Sequence, residues 1–374
     1  MQFSLWNILI FLFFSWKGFS VNSIAILGDS IGTGAISHPN LRFEQKQLEH
    51  ILSGKTSIQP DANAVAWIRD QGIPFEKDPE ARPSYLFPTS REFQGGPEWL
   101  FMHYWLQMSR LFVNTEKYSW GYFIGRALGV PGKNIYIAAE NGAKARSAVN
   151  QARRVLNIDR GHLPEMIFMF YTGNDICGPN IGAITDPEDF KNQLEDGIEI
   201  ILKHGIPHAK GTQIILVDPL AALQLVQSDF VLEKKVLAHN KNMTCKELQT
   251  TDLPRSYSPN MDGSDSNAFL LSLLVPKSPT VFCPNMFQAK NSNLLKEQRI
   301  LLANHLRQYR QSISSIVSKY SQGNLSGFIF SHINQTGQII FSGNEIAEDC
   351  FHLSYKGQLK VAQVILQELG FKRK

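Results

Sequence analysis

The chain has 374 residues, of which 43% are hydrophobic and 19% are charged, and its net charge at pH 7 is +4. This composition is typical of a globular protein with a sizeable core, arranged in one large domain or two modest ones. The charge is small for this length and is not gathered into a basic stripe, which argues against a nucleic-acid partner.

The N-terminal segment differs from the rest of the chain. Residues 5–16 form an almost unbroken apolar run, which is followed by the small residues Gly18 and Ser20. The run is shorter than the roughly 20 residues that span a bilayer as a helix, and it matches the apolar part of a secretory signal peptide. We therefore predict a signal peptide over residues 1–22 and a secreted protein, either periplasmic or extracellular. Because no Lys or Arg precedes the run, a membrane anchor formed by the uncleaved N-terminus is the alternative.

The rest of the chain alternates between short apolar runs and segments with helical spacing. The first run, residues 24–27, ends at Gly28-Asp29-Ser30, and the glycine allows the sharp turn that places Ser30 where strand gives way to loop. Further strands are expected over 134–138, 165–171, 213–217 and 327–331, and helices over 118–128, 144–156, 187–203, 294–320 and 354–369. This alternation predicts the α/β class, as a three-layer α/β/α sandwich around a central parallel sheet.

Two long insertions interrupt the single domain that we expect over residues 23–374. Residues 43–118 contain no clean strand but include an aromatic-rich stretch at 99–106, which predicts either a wall or lid for an apolar substrate or a helix packed on the core. Residues 220–293 show no regular pattern, and the polar residues 256–267 within them indicate an exposed loop.

Residues suited to acyl transfer follow several of the predicted strands. Ser30 follows the first strand, at the edge of the sheet where ligands bind in open α/β folds. A nucleophilic serine needs a base, a carboxylate that orients the base, and donors for the oxyanion. His352 is the candidate base, and Asp349, three residues earlier, is placed to reach the other ring nitrogen. The backbone N–H groups of Ser30 and Gly142 and the side-chain amide of Asn174 are the candidate oxyanion donors.

Each of these pieces also has a purely structural interpretation. Gly173-Asn174-Asp175 is a common turn sequence, and Asn141-Gly142 is a standard hairpin or cap pair. Asp349-Cys350-Phe351-His352 is also suited to cap the last helix. The catalytic interpretation depends on finding all of them together, each at the carboxyl end of a strand or in the final loop.

Together these blocks resemble the SGNH, or GDSL, hydrolase superfamily. The first block is Gly28-Asp29-Ser30, the second is the glycine of Asn141-Gly142, the third is Gly173-Asn174-Asp175, and the last is Asp349-x-x-His352, so that the match extends from residue 23 to residue 369. The resemblance implies a flavodoxin-like fold without a metal or cofactor. It also implies Ser30 as nucleophile, His352 as base, Asp349 as the orienting carboxylate, and an oxyanion hole of Ser30, Gly142 and Asn174.

Within that superfamily, the sequence around the second, third and last blocks looks like acyloxyacyl hydrolases and phospholipase B-like proteins, which remove fatty acyl chains from lipids. We see no saposin-like N-terminal domain, which acyloxyacyl hydrolases carry, so phospholipid and lipopolysaccharide both stay open as substrates. The resemblance implies a secreted serine esterase or lipase that acts on fatty acyl esters and contacts membranes peripherally. A carbohydrate O-acetyl esterase is one alternative, and a non-catalytic surface binding protein on the same scaffold is another.

The four cysteines permit two disulfides, in any of three pairings, if the protein is exported. Because Cys177 and Cys350 both flank blocks of the candidate site, we predict a Cys177–Cys350 bond, which leaves Cys245 with Cys283; free thiols are the alternative.

A group of basic residues after the second block is interpreted either as a site for anionic head groups or as a solvated helix face. Its members are Lys144, Arg146, Arg153, Arg154 and Arg160.

Overall fold

The structure is a computed structural model, and it describes residues 21–35, 37–39, 61–75, 82–83, 115–171, 173–177, 181–238, 241–250, 283–287, 292–323 and 325–371. The apolar segment of the predicted signal peptide lies outside these residues, and so do the aromatic stretch 99–106 and the predicted loop 256–267. What the sequence predicts for these three segments therefore stays a prediction.

A parallel sheet forms the centre of the molecule. In chain order, the strands of the described residues are β1 (Ile24–Gly28), β2 (Arg82–Pro83), β3 (Ile135–Ile137), β4 (Met166–Phe170), β5 (Thr212–Val217), β6 (Lys235–Ala238), β7 (Lys241–Thr244) and β8 (Phe328–Ile333). The central sheet has the order β2-β3-β1-β4-β5-β8, and β6 and β7 form a separate antiparallel hairpin. Every residue of β1 and β4 is buried, as expected for strands that are covered on both faces.

Helices cover both faces of this sheet. They are α1 (Ala62–Asp70), α2 (Trp120–Ala127), α3 (Ala148–Ile158), α4 (Pro187–His204), α5 (Ser292–Gln322) and α6 (Tyr355–Glu368). Helix α4 packs against both α3 and α5 in one layer, and α2 packs against α6 in another. The predicted α/β class and the three-layer α/β/α sandwich are therefore confirmed.

The order of the strands fixes where a ligand site can form. Without the two-residue β2, the order β3-β1-β4-β5-β8 is the 2-1-3-4-5 order of flavodoxin-like folds. The chain lays β3 on one side of β1 and then returns to lay β4 on the other side. In folds of this order a crevice for ligands opens just outside the carboxyl ends of the two strands where the order reverses, here β1 and β4. Ser30 lies just after β1, and Gly173 lies just after β4.

One fully buried tryptophan links α2 to both the sheet and α6. The ring of Trp120 meets the rings of Phe168 and Phe170 edge to face, with centroids 5.7 and 5.3 Å apart. Its backbone N–H donates to Oε1 of Gln358 at 3.0 Å, which joins the first turn of α2 to the first turn of α6. These contacts hold α6, and with it the segment that leads into α6, in a fixed position on the sheet.

The two insertions contain more regular structure than the sequence predicts. Arg82–Pro83 pairs with β3, in a segment for which we expected no strand. The segment 220–293, expected to be irregular, holds the β6–β7 hairpin and four short helices: Gln224–Gln227, Asp229–Leu232, Cys245–Thr250 and Pro284–Phe287. Pieces of four to six residues carry too little periodicity to be recognised, because tertiary contacts rather than local pattern stabilise them.

The disulfide prediction is wrong in its pairing, although all four cysteines are bonded. The bonds are Cys177–Cys283, with Cα atoms 4.8 Å apart, and Cys245–Cys350, with Cα atoms 5.6 Å apart. The two cysteines that flank the site blocks each pair with a cysteine of the 220–293 insertion, because that insertion folds back over both loops. Disulfides persist in oxidising compartments, so this pair of bonds fits an extracellular or secreted protein.

In the described part of the chain, no helix is both long enough and apolar enough to cross a membrane.

Candidate active site

The turn after β1 is built so that only glycine fits at position 28. Gly28 has a φ of +151°, and a Cβ atom there would collide with the carbonyl oxygen of Phe170. The amide of Gln151, on α3, satisfies the freed backbone: its Oε1 accepts from the Gly28 N–H at 2.7 Å, and its Nε2 donates to the Gly28 carbonyl at 2.9 Å. The strand therefore ends at a fixed point, from which the next two residues project into the crevice.

Asp29 fastens this turn to the neighbouring loop. It caps the short helix Ser30–Thr33, because its Oδ1 accepts from the backbone N–H of Ile31 at 2.9 Å. Its other oxygen, Oδ2, accepts from the backbone N–H of Gly173, also at 2.9 Å. One buried carboxylate thus joins the loop that carries Ser30 to the loop that carries Asn174.

The structure brings Ser30, His352 and Asp349 together in a hydrogen-bonded chain. Nε2 of His352 lies 3.1 Å from Oγ of Ser30, and Nδ1 of the same ring lies 2.5 Å from Oδ2 of Asp349. All three residues are at most 7% exposed. Burial alone would raise the pKa of Asp349, but the charge and hydrogen bond of His352, with two backbone N–H groups, outweigh it and hold that pKa below its usual value.

Residues 346–352, here called the histidine loop, place the carboxylate and the imidazole three residues apart yet in contact. Oδ1 of Asp349 accepts from the backbone N–H groups of Phe351 and His352 at 3.1 and 3.0 Å. Between them, Cys350 has a φ of +57°, in the left-handed region that non-glycine residues seldom occupy. Strain of this kind persists only where the surroundings impose it, and it is common at functional sites.

Two of the candidate oxyanion donors, Gly142 and Asn174, lie on loops that are bonded to each other. Nδ2 of Asn174 donates to the carbonyl of Ala143 at 3.0 Å, which uses one of its two N–H bonds and leaves the other for a ligand. On the other side of Gly142, Oδ1 of Asn141 accepts from the hydroxyl of Thr33 at 2.6 Å. Gly142 has a φ of +79°, so its loop is held in place at both ends and turned at the glycine.

Asp175, next to Asn174, is buried and anchors the same pair of loops. Both of its carboxylate oxygens accept from the backbone N–H of Ala145, at 3.2 and 3.0 Å. Burial raises the pKa of Asp175 to about 6, although hydrogen bonds from Thr185 and Ala145 and the charge of Lys144 oppose the rise. The sequence marked Asp175 only as part of a turn, because nothing local indicates that its side chain points inward.

The basic group after the second block does not form one surface. Arg154 is buried and forms an ion pair with Glu140, and Lys144 donates to the carbonyl of Ala183 at 2.7 Å. Neither predicted interpretation, a head-group site or a solvated face, therefore holds for these two residues. Arg146, Arg153 and Arg160 are exposed.

An apolar pocket opens beside Ser30 and Asn174. Its wall comes partly from the turns after β1 and β4, partly from the 220–293 insertion, and partly from the segment before α6. The described lining residues are Ser30, Ile31, Gly173, Asn174, Ile176, Leu220, Ala221, Ala222, Gln224, Leu225, Cys283, Met286, Phe341, Phe351 and Leu353. The Cys177–Cys283 bond ties one side of this wall to the loop of Asn174.

Several residues of the site could not be identified from the sequence. Gln151 reads as an ordinary helical position, and Met286 lies in a short helix without a pattern. Asp29 did carry a signal, since an Asp directly after a strand and before a helical turn is a typical N-cap. The sequence predicted the polar groups at the strand ends, but the contacts that hold them are non-local.

Comparison with known proteins adds no assignment. Neither a scan against protein-family models nor a search of curated proteins found a match to this chain.

Proposed function

We propose that this protein is a serine esterase or lipase of the SGNH type, acting on carboxylic esters through an acyl-enzyme at Ser30. The single observation that carries the proposal is the chain of contacts from Ser30 Oγ to His352 Nε2, at 3.1 Å, and from His352 Nδ1 to Asp349, at 2.5 Å. A buried carboxylate that orients an imidazole, which in turn contacts a serine hydroxyl, is the arrangement that serine hydrolases of unrelated folds share.

The proposed reaction has two halves, and each proton has a defined carrier. Ser30 Oγ attacks the ester carbonyl as His352 accepts the hydroxyl proton, and the tetrahedral oxyanion lies against the N–H groups of Ser30, Gly142 and Asn174. The carbon–oxygen bond to the alcohol then breaks, and His352 gives its proton to the departing alkoxide. A water molecule, deprotonated by His352, attacks the carbonyl of the acyl-enzyme. The bond from the acyl carbon to Ser30 Oγ then breaks, His352 returns its proton to Ser30, and the acid is released. Asp349 stabilises the imidazolium in both halves.

The pocket favours an apolar acyl group. Its described lining is mostly apolar, and its polar side chains are those of Ser30, Asn174 and Gln224. The amide of Gln224 is bonded to the backbone of Ile339 and Phe341. Burial of each methylene of a bound chain contributes about 0.8 kcal/mol, so a site of this kind gains affinity from longer acyl chains. This supports fatty acyl esters, among which phospholipid and lipopolysaccharide are the candidate lipids, over the acetyl groups of a carbohydrate esterase.

Secretion through a signal peptide at residues 1–22 completes the proposal. The two disulfides support an extracytoplasmic location, since both join loops of the site and need an oxidising compartment to form. A non-catalytic binding protein on the same scaffold is the competing proposal, and the close contact between Ser30 and His352 favours the enzyme.

Labelling with a fluorophosphonate tests the proposal directly. The mature protein is treated with the reagent and the adduct is located by peptide mass spectrometry, with Ser30→Ala as the control. We expect one adduct, on Ser30, that is absent from the control. Failure of the folded protein to react would favour the binding protein, and an adduct on another serine would contradict the site. A series of p-nitrophenyl esters from acetate to decanoate then separates a lipase from an acetyl esterase.

A further inference from the structure

One segment of the 220–293 insertion makes a close attachment to the histidine loop. Nζ of Lys234, just before β6, donates to the backbone carbonyls of Ile346 at 2.6 Å and Ala347 at 3.0 Å. The same ammonium lies 3.3 Å from the carboxylate of Glu348, and the Lys234 side chain is only 11% exposed. A buried ammonium is costly unless it is paired, and here three of the groups that pair with it, on residues 346, 347 and 348, belong to one short stretch of the histidine loop.

The same segment makes a second attachment within a few residues. Cys245, directly after β7, forms a disulfide with Cys350, which lies between Asp349 and His352. The two attachments are joined, because the backbone N–H of Cys245 donates to the carbonyl of Lys234 at 2.8 Å. The residue before the β6–β7 hairpin and the residue after it are therefore both bonded to the histidine loop.

The histidine loop needs such support from outside. It contains no strand or α-helix of its own, and Cys350 is held at a φ of +57°. Its internal bonds fix Asp349 relative to His352 but not the position of the pair relative to Ser30, which is on a different part of the sheet. The contacts of α6 hold the C-terminal end of this loop, and the contacts of the segment before β6 hold its N-terminal end.

We propose that Lys234 is a positioning residue for the reaction assigned above, and this inference rests on that proposed function. Lys234 holds the backbone of residues 346–348 so that Nε2 of His352 stays within hydrogen-bond distance of the Ser30 hydroxyl. Lys234 is not among the described residues that line the apolar pocket. Its loss should therefore slow the chemical steps and leave binding of the acyl group unchanged.

The test compares three variants of the full chain on a soluble ester, p-nitrophenyl butyrate. Lys234→Met removes the ammonium but keeps the apolar stem, and Lys234→Arg keeps donors and charge. Lys235→Met is the matched control, because Lys235 is the next residue and is exposed. A displacement of about 1 Å can cost about 100-fold in rate. We expect kcat of Lys234→Met to fall about 10- to 100-fold with KM changed less than about twofold, Lys234→Arg to recover most of kcat, and Lys235→Met to match the wild type.

The temperature of unfolding, measured for every variant, separates loop positioning from general stability. Folded Lys234→Met protein with the kcat of Lys235→Met would overturn the proposal. If Lys234→Met does not fold, Lys234→Gln, which retains an N–H donor, replaces it; failure of that variant to fold would mean that Lys234 maintains the fold and would also overturn the proposal. Wild-type protein that neither hydrolyses the ester nor takes the fluorophosphonate on Ser30 would refute the proposed function itself, whereas normal wild-type reactivity with unchanged Lys234→Met refutes the positioning role alone.

Discussion

Replacement of Asp29 by Asn tests which contacts fix the turn that carries Ser30. The two carboxylate oxygens of Asp29 serve two loops, since one accepts from the N–H of Ile31 and the other from the N–H of Gly173, each at 2.9 Å. Asp29 is 1% exposed, so water cannot replace a lost acceptor. Asn has the same shape but offers one oxygen and one NH2 group. One of the two backbone N–H groups must therefore face another donor.

The expected cost follows from that single mismatch. A hydrogen bond to a charged group contributes about 1.5–3 kcal/mol, and an unsatisfied buried donor costs about 1–3 kcal/mol. The two energies cannot simply be added, because both include the loss of the same hydrogen bond. We therefore expect Asp29→Asn to lower the free energy of unfolding by about 2–4 kcal/mol. Displacement of Gly173 also moves the adjacent Asn174, so kcat should fall at least about tenfold.

Asp61→Asn provides the matched control. Asp61 caps α1 and accepts from the backbone N–H of Ala64 at 2.9 Å through one oxygen only. Asn is as good an N-cap as Asp in this role, so the free energy of unfolding should change by less than about 0.5 kcal/mol. Urea unfolding followed by tryptophan fluorescence measures stability, and p-nitrophenyl butyrate measures kcat. Equal losses in the two variants would refute the idea that Asp29 joins two loops.

Three further substitutions test the oxyanion donor, the buried acid and the pocket. Asn174→Ala should lower kcat about 100- to 1,000-fold in steady-state assays without loss of fold; wild-type turnover would exclude its amide as an oxyanion donor. Because the pKa of Asp175 is raised to about 6 from 3.8, the folded protein binds a proton more tightly than the unfolded chain, and the stability that this proton contributes is lost as the pH rises from 3.8 to about 6. Urea unfolding between pH 4 and pH 7 should therefore show the wild type losing up to about 3 kcal/mol relative to Asp175→Asn, at about 1.4 kcal/mol per pH unit, and parallel pH curves would contradict this. Met286→Trp enlarges a side chain that is buried in the pocket wall and should favour butyrate over decanoate esters about tenfold in kcat/KM; an unchanged ratio would show that the acyl chain lies elsewhere.

Apart from the two-residue β2, the strands of the central sheet were predictable because each is a local pattern. β1 and β4 are unbroken apolar runs, and a glycine lies at the end of each run or a few residues after it. A strand that is covered on both faces needs apolar side chains at nearly every position. The same reasoning located Ser30 and Asn174, since each follows directly from the end of its strand. These predictions needed information from only about ten consecutive residues.

The contacts across the insertion could not be predicted in this way. The two disulfides join cysteines 106 and 105 residues apart, and with four cysteines the sequence allows three pairings. Which pairing forms depends on where a long connection returns to the core, and a chain of that length can close its loop almost equally well in several ways. Lys234 illustrates the same limit, because it lies 112 residues from Ile346 and its ammonium binds backbone carbonyls, which carry no sequence signal.

The central sheet and its loops (the scaffold) and the 220–293 insertion contribute different residues to the candidate site. The scaffold supplies Ser30 and the loops of Gly142 and Asn174. The insertion supplies Leu225 and Met286 to the pocket, and Lys234 and Cys245 of the same insertion are bonded to the histidine loop. Under the proposed function, substrate preference and the placement of His352 would therefore depend on one segment. A substitution that reshapes the pocket by shifting the insertion backbone should also change kcat, whereas one that only alters a lining side chain should not.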